Sequence, residues 1–332
     1  MPHRYINLLA DGETIEETYL LGDKQIRANR NAETYLLVDL RDRTGTIGAR
    51  MWNVNETQCG RFNPGDFVRV KGKVQLFQGA LQMIITQIHP VPADGMDLNE
   101  FVKQSERDLA PLLGRLKQIL LEIDDLPLRT LMECFLIDDA LMTAFSGAVA
   151  GTKAHHAYRG GLLEHVTNML EVVVQTASLF PGVDRNLLLA GVFLHDIGKV
   201  REIGPDGSSY TDEGQLIGHM VIGVEMLNEK IAEYHKLTGE TFPVETTLRL
   251  KHMIVSHHGS YEFGSSRLPS TPEAIALHYI DNLDAKVHEF VRDITDDPNP
   301  LASFTPFNAR LDRKLFKGIR KPAVKADEPP VA

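Results

Sequence analysis

Eight consecutive residues, Leu187 to Leu194, carry no polar side chain, and they run directly into His195 and Asp196. A run this short and this apolar reads as a central buried helix. Its two polar followers are therefore delivered to a buried helix end, where an uncompensated charge is costly. The rest of the chain must wrap this helix and supply partners for them. Further donors occur in order along the sequence: His165 upstream, then His219, the pair His257 and His258, and Asp281. None is a cysteine. Imidazole mixed with carboxylate suits a divalent-cation site for hydrolysis better than a cysteine-rich structural zinc site.

Around this helix the hydrophobic period changes once. The segments Thr18–Leu21, Lys24–Ala28, Thr34–Leu40, Thr46–Trp52, Phe67–Phe77 and Leu81–Ile88 alternate or are β-branched, and turn residues at 42–45, 64–66 and 78–79 separate them. About five strands with a central hairpin fit a small closed barrel of the oligonucleotide-binding (OB) type. From Asp97 onward apolar residues recur at helical spacing, over Leu109–Ile123, Leu126–Phe135, Asp139–Gly147, a helix carrying His165, Leu187–Leu194, Gly218–Tyr234, Val244–His257 and Pro272–Thr295. The predicted architecture is multidomain: an N-terminal all-β barrel over 1–92, an all-α domain over 93–310, and a basic, disordered tail over 311–332.

Composition narrows the class. The net charge of −10 is uneven: residues 1–92 carry 11 Lys and Arg against 10 Asp and Glu, and the remainder 24 against 35. Net charge therefore does not exclude a polyanionic partner, least of all for the barrel. Cys59 and Cys134 fall in different predicted elements and read as reduced packing residues. No apolar run approaches the ~20 residues of a membrane span, and the N-terminus lacks a signal peptide. The expectation is a cytoplasmic protein with no membrane partner; a homo-oligomer is left open.

Adjacent helical residues point about 100° apart, so His195 and Asp196 can serve one centre only at a helix end. Asp196 has two oxygens, enough to bridge two cations ~3.5–4 Å apart, the clamp used in phosphoester hydrolysis. Scattered core histidines are the bland alternative, and so many donors beside apolar helix faces argue against it. Other residues carry a functional and a bland reading. Lys199 is a phosphate contact or a solvated lysine after a helix end. His155 and His156 contact phosphate, protonate a leaving oxygen, or merely occupy a loop. Gly259 and Arg267 belong to a Gly/Ser-rich segment that positions substrate or simply joins helices. In the barrel, Trp52, Lys71 and Lys73, with Phe67, Phe77, Arg50 and Arg69, interleave aromatic and basic groups as single-strand binders do. Phe67, Arg69, Lys71, Lys73 and Phe77 share one parity, however, and a bulge near Gly72 is the expected way out.

Leu194-His-Asp-Ile-Gly-Lys199 resembles the signature of the HD phosphohydrolase superfamily. The stretches His155-His156, Gly160–His165, Gly214–His219, Lys251–Gly259 and Ala276–Lys286 further resemble the YhaM family of 3′→5′ exoribonucleases, which joins an OB-type domain to an HD domain. The resemblance implies one cation held by His165, His195, Asp196 and Asp281, and a second by Asp196, His219, His257 and His258; Asp284, one helical turn after Asp281, reads as a supporting or cap residue, with the choice of ligand between the two acids left open. It implies two divalent ions, manganese first among Mn, Fe, Co and Zn, and catalytic roles for Asp196, Lys199, His155 and His156. The expected function is 3′→5′ hydrolysis of single-stranded RNA, and of DNA as a further substrate, to nucleoside 5′-monophosphates. The rivals are an HD nucleotidase or cyclic-dinucleotide phosphodiesterase, and a nucleic-acid-binding regulator that no longer turns over.

Overall fold

The computed structural model describes residues 3–28, 33–54, 59–77, 79–151, 156–204, 207, 209–297, 299 and 302–319. Five strands, β1 (Thr14–Ala28), β2 (Thr34–Asp42), β3 (Gly45–Trp52), β4 (Phe67–Phe77) and β5 (Ala80–Val91), close into a barrel in the order β1-β2-β3-β5-β4. The two N-terminal segments expected from sequence are one strand. A register shift between Leu21 and Lys24 lets β1 pair with β4 along its first half and β2 along its second. Leu36, Val38 and Leu40 of β2, Val68, Val70 and Val74 of β4, and Met83 and Ile85 of β5 fill the interior. Closure comes from the parallel pairing of β3 with β5, Gly48 opposite Gln82 and Arg50 opposite Ile84.

The parity problem in β4 is solved differently from the expectation. A bulge does lie between Lys71 and Gly72, but the extra residue is in β5, because Lys71 pairs with Gln87 and Gly72 with Ile85. Alternation in β4 is therefore unbroken. Arg69, Lys71 and Lys73 point outward, and so do Phe67 and Phe77. Phe67 is nonetheless buried, because Phe101 of the following segment packs edge-on against it at 4.8 Å, with Leu20 alongside. Phe77 has no such cover and is exposed. The segment that covers Phe67 also ties the barrel to the helices: Arg43 N–H donates to Glu100 O at 3.0 Å, and Tyr5 Oη donates to the Glu100 carboxylate.

The remainder is helical: α1 (Leu109–Leu121), α2 (Leu126–Leu136), α3 (Asp139–Gly147), α4 (Gly161–Thr176), α5 (Arg185–Leu194), α6 (Lys199–Glu202), α7 (Asp212–Thr238), α8 (Val244–Ser256) and α9 (Pro272–Thr295). Asp108, Asp125, Asp138 and Asp184 cap α1, α2, α3 and α5, each side chain accepting from a backbone N–H of the first turn. The apolar run forms α5, every residue from Leu187 to Leu194 being buried. It packs between α4, α8 and α9. Gly191 makes the α8 crossing close: a Cβ there would lie 1.9 Å from Met253 Cε.

The expected boundary at residue 310 is corrected. Residues 302–319 fold back onto α9. Thr305 N–H donates to Leu315 O, Leu311 and Leu315 are buried, and Arg310 pairs with Glu289 at 2.6 Å. Lys317 pairs with Asp297. These basic residues are consumed by acids of α9 and its end, so they do not form a solvated tail. The rest of the expected tail, 320–332, lies outside the described residues. No described helix is long and apolar enough to cross a membrane, and both cysteines are buried and unbridged.

Truncating Phe101 to Ala should uncover Phe67 and Leu20 and destabilise the barrel by about 3 kcal/mol. Urea unfolding followed by Trp52 fluorescence measures this. An unchanged midpoint would mean that Phe101 does not hold the two domains together.

Candidate metal centre

The ends of α5 and α8, a kink in α7 and faces of α4 and α9 converge on one region. His165 lies on the buried face of α4 with Leu162, Val166 and Met169. His195 is the C-cap of α5, and Asp196 begins the turn that leads to α6. Gly198 permits that turn to press against α7, since a Cβ there would sit 2.1 Å from His219 O. His219 follows Gly218, whose φ of 75° and ψ of 159° kink α7. That kink is why the sequence pattern places the start of the helix at Gly218. His257 caps α8, His258 follows it, and Asp281 projects from α9.

Asp196 is the hub. Its Oδ2 lies 3.3 Å from His195 Nε2 and 3.9 Å from His165 Nε2, and its Oδ1 lies 3.6 Å from both His219 Nε2 and His257 Nε2. His165 Nε2 is also 3.4 Å from Asp281 Oδ1. Donor atoms of His165, His195 and Asp281 lie within 4.8 Å of one another, and so do those of His219, His257 and His258. The carboxylate thus divides two nitrogen-rich clusters, one at each oxygen.

The other ring nitrogens are committed elsewhere. His195 Nδ1 meets Val192 O at 2.7 Å, and His257 Nδ1 meets Ile254 O at 2.7 Å. His165 Nδ1 is 2.7 Å from Asp284 Oδ2, and His219 Nδ1 is 2.9 Å from Glu202 Oε1. Partners at Nδ1 orient each ring and leave Nε2 as the nitrogen that would face a cation. Glu202 also accepts from the His219 backbone N–H at 2.9 Å, which anchors the residue after the kink.

The electrostatics follow from burial and charge. Burial opposes ionisation of Asp196, but the Lys199 ammonium, at 2.7 Å, and the surrounding imidazoles outweigh it and hold the carboxyl well below its usual range. Burial pushes His257 well below the ordinary imidazole value and lowers His258. Burial would lower His165 too, yet its bonds to Asp281 and Asp284 prevail and raise it to about 9.

Four buried atoms here, His195 Nε2, Asp196 Oδ1, His219 Nε2 and His258 Nδ1, have no hydrogen-bond partner. Such atoms are costly to bury, and together they form a converging donor set. A divalent cation bound here would satisfy such atoms, so the residues fit a divalent metal.

The remaining expected site residues are not all here. Lys199 is: its Nζ donates to Asp196 Oδ2 and to Ala150 O. His155 lies outside the described residues. His156 departs from the expectation of a catalytic role at substrate. Its Nε2 is 2.9 Å from Asp284 Oδ2, its Nδ1 is 2.9 Å from Tyr158 Oη, and its ring stacks on His288, so it buttresses Asp284 from behind. Gly259 has a φ of +81° and its Cα abuts the His278 ring, a Cβ there lying only 2.1 Å from Cε1, so the backbone and packing require glycine. Arg267 is exposed in the loop joining α8 and α9, whose backbone is tied to Val255 O. Trp52, Lys71 and Lys73 lie on the barrel. Glu202, which orients the His219 ring, escapes a sequence reading because an acid in a short charged helix looks like a solvated one.

Gly198→Ala forces its Cβ onto the backbone of α7, so it should move His219 and cost at least 2 kcal/mol; thermal melting with and without Mn²⁺ tests both effects. Proton linkage supplies a second check. Below about pH 9 His165 carries an extra proton that a cation at Nε2 must displace. Metal affinity should therefore rise about tenfold per pH unit up to that value and then level. Calorimetry in buffers of different ionisation heat should show proton release at pH 7 that disappears near pH 10.

Comparison with known proteins agrees with both domains. Residues 24–91 match the OB-fold nucleic acid binding domain family, and residues 162–286 match the HD domain family. A protein of Bacillus subtilis described as 3′-5′ exoribonuclease YhaM is 34% identical over 279 residues, 83% of this chain and 86% of that protein. Proteins of the same description from Shouchella clausii and Listeria innocua are 36% and 35% identical, each over 83% of this chain and over 85% and 87% of their own lengths. With the barrel and the helical domain both matched and a third or more of the residues identical over most of each chain, the chain belongs to the YhaM family of 3′-5′ exoribonucleases.

Proposed function

We propose that this chain is a metal-dependent 3′→5′ exonuclease that hydrolyses single-stranded RNA to nucleoside 5′-monophosphates. Manganese is the proposed ion and single-stranded DNA a secondary substrate. The observation that carries this reading is the buried Asp196 carboxylate, shared by two imidazole clusters and flanked by Lys199. Divalent cations held there would lower the pKa of a coordinated water and offset the negative charge of a phosphoryl group.

The chain's own residues do the rest. His165, His195 and Asp281 form one side of the cage, and His219, His257 and His258 the other. Asp284 and Glu202 fix the imidazoles from behind. Lys199 keeps a positive charge beside the bridging carboxylate, where the phosphate's developing charge needs it. Burial of the cluster lowers the local dielectric and strengthens each of these interactions.

The barrel favours a strand over a mononucleotide or a cyclic dinucleotide as substrate. On the outer face of β2 and β3, Tyr35 and Trp52 stand opposite one another with ring centroids 5.2 Å apart. The Arg50 guanidinium lies 5.4 Å from the first ring and 5.0 Å from the second. Trp52 is exposed. Stacking rings beside a cation are what single-strand binding uses. Lys71 and Lys73 contribute from a different face: β5 separates β4 from Arg50, and Lys71 is 4.0 Å from Glu16.

With 5′-labelled RNA and Mn²⁺ the chain should produce a ladder of shortened products, and blocking the 3′ end should abolish it. Chelation, or Asp196→Asn, should lower the rate by on the order of 10³ or more while circular dichroism stays helical. Full turnover by Asp196→Asn would refute the reading.

A further inference from the structure

The outer face of β2 and β3 continues beyond its aromatic pair. Side chains alternate along a strand, so Tyr35, Asp39 and Arg41 share one face of β2. They stand opposite Trp52, Gly48 and Thr46 of β3. At strand rise the lane from Tyr35 to Arg41 is about 20 Å long. Its Arg41 end adjoins the turn whose Arg43 N–H is bonded to Glu100 of the connecting segment, so the lane leads toward the helical domain.

Three cavities follow the same route. The first, about 330 Å³, lies over Arg50, Gly48 and Asp39. The second, about 860 Å³, shares Asp39 with the first and extends past Arg41 to Lys103 and Val149. The third, about 520 Å³, shares Val149 with the second and reaches Arg159 and Lys199. Lys199 touches Asp196. The cavities thus lie side by side, from Arg50 next to the aromatic pair to Lys199 next to the bridging carboxylate.

Three cations along the route are unspent. Among the described residues Arg41, Lys103 and Arg159 enter no ion pair, and Arg41 Nε is buried without a hydrogen-bond partner. Other nearby cations are neutralised: Arg43 by Glu100, and Arg201 by Glu213, the latter pair lining the third cavity. Of the acids beside Arg41, Asp42 is occupied by the backbone N–H groups of Ile6 and Thr44. Asp39 remains as an acceptor for a ribose hydroxyl or a base amino group.

We propose that a single RNA strand runs along this lane, with its 5′ portion stacked on Tyr35 and Trp52. It passes Arg41 and Lys103 at the junction of the domains and enters beside Arg159, so that its 3′ end arrives at Lys199. The choice of the 3′ end rests on the exonuclease reading; binding along the lane does not.

The test uses the full chain in EDTA, so that no turnover is needed, and a fluorescein-labelled oligouridylate long enough to span both domains. Arg41→Gln and Lys103→Gln should each weaken binding about three- to tenfold at low salt and reduce the slope of log K against log salt by about 0.7. Gly48→Glu places a carboxylate on the floor of the lane where a Cβ meets nothing within 4 Å, and it should weaken binding at least as much while the melting temperature holds. Lys117→Gln, on α1 away from the lane, should bind like the wild type. A terminal 4-thiouridine reads polarity: at the 3′ end it should crosslink to peptides of the helical domain, at the 5′ end to the barrel. Unchanged binding by all three lane variants overturns the route, even if RNA is degraded. Reversed crosslinks overturn the polarity. Weakened binding with the expected crosslinks supports the route, even if the wild type proves unable to cut RNA with Mn²⁺, a result that would sink only the exonuclease reading.

Discussion

The placement of one carboxylate organises this protein. Asp196 is almost fully buried, at the end of a helix whose last eight residues carry no polar side chain, and it stays ionised there because cationic and imidazole groups surround it. A buried charge without such partners would neutralise or unfold its surroundings. The need to supply them explains features remote from one another in sequence. Gly198 lets α7 come close, Gly218 turns His219 inward, and α9 crosses α5 to present Asp281.

The cage is supported in depth. Behind His165 stand Asp284, His156 and Tyr158, and Tyr158 in turn donates to Glu164, which also accepts from Ser105 Oγ at 2.7 Å. Ser105 belongs to the segment that leaves the barrel, and its N–H is bonded to Arg159 O just before α4. A hydrogen-bonded chain therefore joins the connection between the domains to a metal-facing imidazole. The domains are linked by polar geometry as well as by the Phe67–Phe101 contact.

Much of this was legible in the sequence, for physical reasons. The change from period two to period 3.6 marks where the sheet ends because side-chain direction alternates in one and rotates in the other. The donors His165, His195, Asp196, His219, His257, His258 and Asp281 stand out because ionisable groups beside apolar helix faces are costly without a purpose. What stayed hidden depends on tertiary contacts. Nothing local to Phe67 announces that Phe101 will cover it, so its parity looked anomalous. The position of the bulge in β5 is a matter of pairing, which β4 alone does not encode. Arg310 and Lys317 read as a loose basic tail because their acidic partners lie on α9, and His156 reads as a phosphate contact until Asp284 is seen to take its Nε2.

The account stands or falls on Asp196 as the divider between two cations. Anomalous diffraction at the manganese edge, from crystals grown with Mn²⁺, measures this directly. The account predicts two peaks on opposite sides of the carboxylate, ~3.5–4 Å apart, one against His165, His195 and Asp281 and the other against His219, His257 and His258. A single peak away from Asp196, or none among these side chains, would contradict it.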